Sequence, residues 1–274
     1  MTDPHTYFVI PDVHAQLDVL DAALELVDLD DPGTRLIQLG DLVDRGPDSL
    51  ACLARMRDLD TGPNGSRVTV LRGNHEEWFR LWLEAPEDSY TWLYADPMLQ
   101  TVSSFLPDID KQHLEKRLIS VARNLDKIQV ISTEVRDQVI EAHPWLPGYL
   151  DQMPFFYEHE HFIAVHAGLD EEAGEHALLG ADPVAMIEKY PPSFGAHDVG
   201  KLIVAGHVWA QEIRPDERAD PYLDEGHLYL DGGPERPDGQ LNLCRFDASS
   251  RDWFYRAVTA GGITEERPVT RTDR

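Results

Sequence analysis

Short apolar runs that stop abruptly on an acidic, imidazole or amide side chain constrain this chain more than any other feature. In LGDLVDRGP at 39–47, the run RLIQL at 35–39 reads as a strand; Asp41 follows it, and Asp44 and Arg45 come a few residues later. YFVI at 7–10 ends at Pro11 and Asp12, and RVTVL at 67–71 ends at Arg72, with Asn74 and His75 just beyond. Such runs bounded by breakers read as buried strands. A helical pattern follows each one. Leu17, Leu20, Leu24 and Val27 recur at helical spacing, and Leu50, Leu53 and Met56 follow a cap at Asp48 or Ser49. A third helix begins near Glu76. Strand and helix alternating at this pace predict parallel β-α-β units and an α/β fold.

Between 79 and 157 the period changes. Leu114, Leu118, Val121 and Leu125 form one helical stripe, and Ile131, Val135 and Val139 suggest another, before Pro144, Pro147 and Pro154 interrupt the pattern. A helical cap or insertion is therefore expected at about 79–157. Strands resume with HFIAV at 161–165, KLIVA at 201–205, HLYL at 227–230 and LNLCRF at 241–246. The residues around Trp253 could supply a last strand, and Asp231-Gly232-Gly233 reads as a turn. Close spacing with Gly-rich turns suggests hairpins and a second sheet. The whole is expected to be one domain over 1–262, with a charged tail over 263–274 that frays.

Charge narrows the partners. Against 24 Lys+Arg stand 50 Asp+Glu, a formal net charge of -26. That surface repels nucleic acid and anionic membranes, and neither is expected as a partner. Cys52 and Cys244 are the only cysteines, too few for a disulfide framework or a thiolate metal site. With no apolar leader and no run of bilayer length, a cytoplasmic protein is expected. Nothing in the sequence sets its oligomeric state.

The residues just past the strands share a chemistry. Asp12 and His14 follow the first, Asp41 the second, Asn74 and His75 the third, His166 the fourth and His207 the fifth. In an open parallel sheet, ligands bind beyond the carboxyl ends of the strands, so residues scattered in sequence can converge there. Carboxylate, imidazole and amide oxygen together suit divalent manganese, iron or zinc better than an all-oxygen calcium site. Each residue has a plainer reading: Asp12 or Asp41 as a helix cap, Asn74 as a turn residue, His166 or His207 as a structural histidine. Five consecutive strand ends make that coincidence hard to sustain. Two divalent ions against two aspartates would leave positive charge to attract a phosphate and to lower the pKa of a bridging water.

The segments D-V-H at Asp12, G-D-L-V-D-R-G at Gly40, R-G-N-H-E at Arg72, V-H-A-G at Val165 and G-H at Gly206 resemble the metal-dependent phosphoprotein phosphatases among the calcineurin-like metallophosphoesterases. They cover about 7–233, and VHAGL looks more like the bacterial branch. The resemblance implies a four-layer α-β-β-α sandwich with a helical insertion. It implies a first metal ion on Asp12 and His14, a bridging Asp41, and a second ion completed by Asn74, His166 and His207. Manganese is the first expectation, iron or zinc the alternatives. His75 would be the general acid, oriented by Asp44, and Arg45 and Arg72 would grip phosphate. The implied activity is phosphomonoester hydrolysis by a Ser/Thr protein phosphatase acting on a phosphorylated protein or a small phosphate ester. The alternatives are a diadenosine tetraphosphate hydrolase and a non-catalytic phospho-binding protein of the same fold.

The sequence departs from the family pattern in three places. Pro11 and Ala15 replace glycines beside the first ligands. No arginine lies between 167 and 206, where the family supplies a further phosphate contact, leaving Lys189 as a weak substitute and Lys201 opening a strand. In and just before the insertion stand Trp78, Trp82, Tyr90, Trp92 and Tyr94, aromatic residues able to stack a nucleobase or simply to pack. His159-Glu160-His161 reads as a turn.

Overall fold

The computed structural model describes residues 4–94, 96–106 and 109–272; the side chains of residues 94–98 fall outside that set, so the stacking role considered for Tyr94 does too. The first half follows the expected alternation: β1 (Thr6–Ile10), α1 (Leu17–Leu24), β2 (Thr34–Gln38), α2 (Ser49–Thr61), β3 (Val68–Val70) and α3 (Asn74–Glu84). β1, β2 and β3 pair in parallel, with Thr6 opposite Thr34 and Leu36 opposite Val68. Then come α4 (Tyr90–Tyr94), α5 (Asp96–Phe105), α6 (Lys111–Val121), α7 (Leu125–Ala142) and α8 (Leu146–Gln152).

The second sheet is built from β4 (Phe156–Glu158), β5 (Phe162–Val165), β6 (Leu202–Ala205), β7 (Tyr222–Leu223) and β8 (His227–Tyr229), in the order β4-β5-β6-β8-β7. Its three central strands are parallel, and the expected hairpins flank them, β4 pairing antiparallel with β5 and β7 with β8. The long hairpin of β9 (Leu241–Asp247) and β10 (Asp252–Thr259) returns to the first sheet, where β9 lies antiparallel to β1. Over the described residues 262–272 the tail is held in place rather than frayed as expected. β11 (Gly262–Ile263) and β12 (Arg267–Pro268) pair with β10, and the Thr272 amide donates to Leu223.

Period-two alternation explains the layering, because successive side chains of a strand face opposite ways. Tyr7 and Val9 of β1 and Ile37 of β2 meet Phe162 and Ala164 of β5, Val204 of β6 and Leu228 of β8 between the sheets. Their neighbours Ile10 and Leu36 face helices, packing with Leu20, Leu53, Met56 and Phe79. On the far side, Ile163, Val165 and Ile203 pack on Met186 and Ile187 of α9 (Pro183–Glu188). The result is a four-layer α-β-β-α sandwich with one core between the sheets and one under each helical layer. Both free cysteines are buried, and burial pushes both thiols well above their ordinary range. No helix among the described residues is long and apolar enough to cross a membrane.

Candidate metal centre

The carboxyl ends of β1, β2 and β3 face those of β5, β6 and β8 across the sandwich, and the loops leaving them are held in unusual backbone geometry. His14, Asp41, Asp44, Arg45 and His207 all have positive φ, between 45° and 67°, a region that costs a non-glycine residue roughly 1–2 kcal/mol. Ala15 also lies there, at 58°, so the loop keeps the conformation expected of glycine despite the methyl group. Such strain clusters where surrounding structure fixes a functional conformation. Two glycines let the loops touch: a Cβ on Gly40 would lie 2.3 Å from the Gly73 nitrogen, and one on Gly73 would lie 2.2 Å from Asp41 Oδ1.

Neither aspartate caps a helix. The N-cap of α1 is Gln16 and that of α2 is Asp48, neither using its side chain. Instead Asp41, only 1% exposed, divides its two oxygens. Oδ2 lies 3.5 Å from His14 Nε2 and 3.8 Å from His75 Nε2, whereas Oδ1 lies 3.5 Å from His166 Nε2. His14, Asp41 and His75 form one potential metal-holding group, and Asp41, His166 and His207 another, so Asp41 belongs to both.

The histidines are turned for ligation. His14 Nδ1 donates to the Val43 carbonyl at 3.0 Å and His166 Nδ1 to the Leu39 carbonyl at 2.9 Å. Such backbone bonds fix the tautomer and free Nε2 as a donor to a metal. Burial, reinforced by His75, keeps His14 neutral, and burial with the charges of His166 and His75 lowers His207 to about 3. His166 Nε2 faces Asn74 Oδ1 at 2.9 Å, so an imidazole nitrogen and an amide oxygen converge on the same side as Asp41 Oδ1. On the other side, His14 Nε2 and Asp12 Oδ2 are buried with no hydrogen-bond partner. Burial raises Asp41 well above the carboxylate range, opposed by His75 and reinforced by Asp12 and Glu76. Buried carboxylates with idle lone pairs beside neutral imidazoles fit a pair of divalent cations.

The calcineurin-like phosphoesterase family model matches residues 5–210. The chain belongs to this family. It is 34% identical to a Serine/threonine-protein phosphatase 1 of Salmonella typhimurium over 36% of this chain and 47% of that protein. It is 35% identical to a symmetrical Bis(5'-nucleosyl)-tetraphosphatase of Yersinia enterocolitica over 53% of this chain and 52% of that one. The chain thus spans about half the length of these curated relatives. A cold-active protein-tyrosine phosphatase of a Shewanella species shares the fold, with a TM-score of 0.52 at 15% identity, over 98% of this chain and 83% of that one.

In this metallophosphoesterase, His75 Nδ1 lies 2.7 Å from Asp44 Oδ2. Burial alone would lower His75, but the charges of Asp41 and Asp44 and the Asp44 hydrogen bond outweigh it, and the imidazole is held above its ordinary value. Arg45 reaches within 3.4 Å of His75 Nε2 through Nη2, and its Nη1 donates to Glu235 at 2.8 Å.

Arg72, the second arginine expected to grip phosphate, stands at the end of β3 with protein partners of its own. Its Nη1 donates to Glu77 at 2.8 Å and its Nη2 to the Leu150 carbonyl at 2.6 Å, with the guanidinium over Phe155. The fork is engaged in bracing the β3 end against α8, and only Nε is left without a partner. Lys189 is likewise tied to Glu171 and the Leu169 carbonyl, and Lys201 to Glu158. Trp82 and Trp92 stack with Phe79 in the core. The half-exposed Trp78 differs from them: its ring lies 4.7 Å from that of His75, and its Nε1 donates to Glu188 at 2.7 Å. His159 sits in the turn between β4 and β5, packed on Tyr7 and Phe162.

Three residues escaped the sequence reading. Thr101 of α5 donates its hydroxyl to Asp44 Oδ1 and shares a hydrogen bond with Ser49, so the helical insertion reaches the His75–Asp44 pair; an isolated threonine gives no signal of this. Ser49 in turn accepts from the Asp44 amide rather than capping α2. Asp231 ends β8 as Asp41 ends β2, and the same apolar-run-then-aspartate pattern would have found it had Gly232 and Gly233 not suggested a turn. Glu76 was read only as the start of a helix. Its carboxylate accepts from the amides of Asp41, Leu42, Val43 and Gly73, at 2.6 to 3.3 Å. Each unsatisfied buried amide costs roughly 1–3 kcal/mol. Glu76→Ala is therefore expected to destabilise the metal-free protein by on the order of 4 kcal/mol. A urea midpoint unchanged from wild type would refute this clamp.

Proposed function

We propose that the protein hydrolyses phosphomonoesters at a two-metal centre, as a bacterial-type Ser/Thr protein phosphatase acting in the cytoplasm. One observation carries the reading: the two oxygens of Asp41 face different histidine groups, an arrangement that lets one carboxylate serve two ions. Asp12 and His14 would hold one ion and Asn74, His166 and His207 the other, with manganese the first expectation and iron or zinc alternatives. When bound, two such ions supply Lewis acidity and lower the pKa of a water.

The remaining steps belong to the chain's own side chains. Arg45 grips the phosphate oxygens with a guanidinium now paired to Glu235. His75 delivers a proton from Nε2 to the leaving alkoxide, while Asp44 holds Nδ1 and Thr101 holds Asp44. A protein that only bound phosphate would need none of that relay, which argues for catalysis over a scaffold. The similarity to the Salmonella phosphatase supports a phosphoprotein substrate, and the acidic surface disfavours polyanions.

Trp78 favours a second reading, dinucleoside polyphosphate hydrolysis. An aromatic face beside His75 can receive a base on the leaving-group side, and the Yersinia relative has that activity in its name. Turnover of a phosphopeptide, diadenosine tetraphosphate and a simple phosphomonoester by one manganese-loaded preparation decides between them. The phosphopeptide should be turned over with the highest kcat/KM. Preference for the dinucleotide would replace the first reading with the second, and no turnover of any substrate would refute both.

A further inference from the structure

We infer that Asp231, a residue outside the ligand set described above, is a working part of the cation site of Asp12 and His14, offering its Oδ2 to the shell of the ion held there. The inference rests on the two-metal reading. β6 and β8 run parallel with Ala205 opposite Tyr229, so His207 and Asp231 stand the same distance past their paired strands. The Ala210 amide donates to the Asp231 carbonyl at 2.7 Å, and the Leu230 amide to that of Ala205 at 2.8 Å. This locks the Asp231 backbone beside the loop that carries His207. That loop also touches Asp12, whose Oδ1 accepts from the His207 amide at 2.9 Å.

One oxygen on each aspartate is then left over. Asp231 Oδ1 accepts from the Gly233 amide at 2.8 Å, a turn bond that accounts for half of the carboxylate. Asp231 Oδ2 and Asp12 Oδ2 have no partner, and the two residues are 0% and 1% exposed. The Asp12 carboxylate is the largest charge acting on Asp231, and Glu235 adds a further negative one. Arg45 is the cation acting on Asp231, and its Nη1 is already bonded to Glu235. Two buried carboxylates that act on one another, each with an oxygen lacking a donor, are costly, and a divalent ion with its waters removes that cost. A carboxylate outside the direct ligands of a metal commonly sets affinity by 10–100-fold.

Asp231→Asn tests this, because the amide keeps Oδ1 for the Gly233 turn and removes only the charge. Manganese binding to the purified protein is followed by titration calorimetry and by metal analysis after dialysis, and metal-free stability by thermal unfolding. The expected result is at least tenfold weaker binding of one of two ions, unchanged binding of the other, and a metal-free Tm no lower than wild type. Unchanged affinity for both ions would overturn the inference, as would weakening of both together with a lower Tm, which marks a purely structural residue. If the asparagine variant does not fold, Asp231→Ser, whose hydroxyl can accept the same amide, is read by the same criteria. Wild-type protein that binds no manganese would instead overturn the two-metal reading.

Discussion

Asp41→Ala is expected to release both metal ions together and to abolish turnover. Every other proposed ligand serves one side of the centre, whereas Asp41 Oδ2 faces His14 and Oδ1 faces His166, each at 3.5 Å. Removing it also leaves the His75 amide without its acceptor, since that nitrogen donates to Asp41 Oδ1 at 3.1 Å. Two ions, each worth several kcal/mol of transition-state stabilisation, translate into a loss of roughly 10⁴-fold or more at about 1.4 kcal/mol per decade. Metal analysis after dialysis should show neither ion retained. A variant that keeps two ions would eliminate the bridging role.

His75→Ala should separate chemistry from metal binding. A positioned general acid contributes roughly 10²–10⁴-fold, so kcat should fall by that much while the ions stay bound. The loss should be largest for an alkyl phosphate and smallest for an activated aryl phosphate, whose leaving group needs no proton. Equal losses for both would argue against proton donation.

The pH dependence has a definite sign. The acid works when protonated, and in the metal-free protein Asp41 and Asp44 hold His75 above its ordinary value against the opposing effect of burial. Activity therefore falls as pH rises through the folded pKa. Asp44→Asn removes one of the two supports, and the basic limb should move to lower pH. In the metal-free protein, stability follows the same group. The contribution of protonated His75 is complete below the unfolded value of about 6.5 and is lost as pH rises through the higher folded value.

Arg72 and Arg45, the two arginines proposed to grip phosphate, sit in different surroundings that residue type alone did not reveal. Both stand beside strand ends in cationic motifs, and both can form the bidentate fork that phosphate favours. The difference lies in what surrounds them. Glu77 sits five residues from Arg72 and Leu150 comes from α8, and together they occupy its fork. Glu235, far along the chain, meets only one arm of Arg45. The aromatic residues sort the same way: Trp82 and Trp92 vanish into the core around Phe79, while Trp78 alone of these three stands beside His75.

The sequence by itself determined the α/β alternation, eight of the strands (β1–β3, β5, β6 and β8–β10) and six candidate ligands at five strand ends. Those features are local: hydrophobic period and the residue that stops each run can be read within a few positions. Only the tertiary structure decided that β9 and β10 return to the first sheet and that Glu76 clamps two loops. It alone showed that Thr101 reaches Asp44 from the helical insertion, that Arg72 bonds Glu77 and the Leu150 carbonyl, and that Asp12 and Asp231 each keep a buried oxygen without a partner. Each depends on partners dozens to hundreds of residues apart, and no local pattern encodes which distant carboxylate will be left with an idle lone pair once the chain has closed around it.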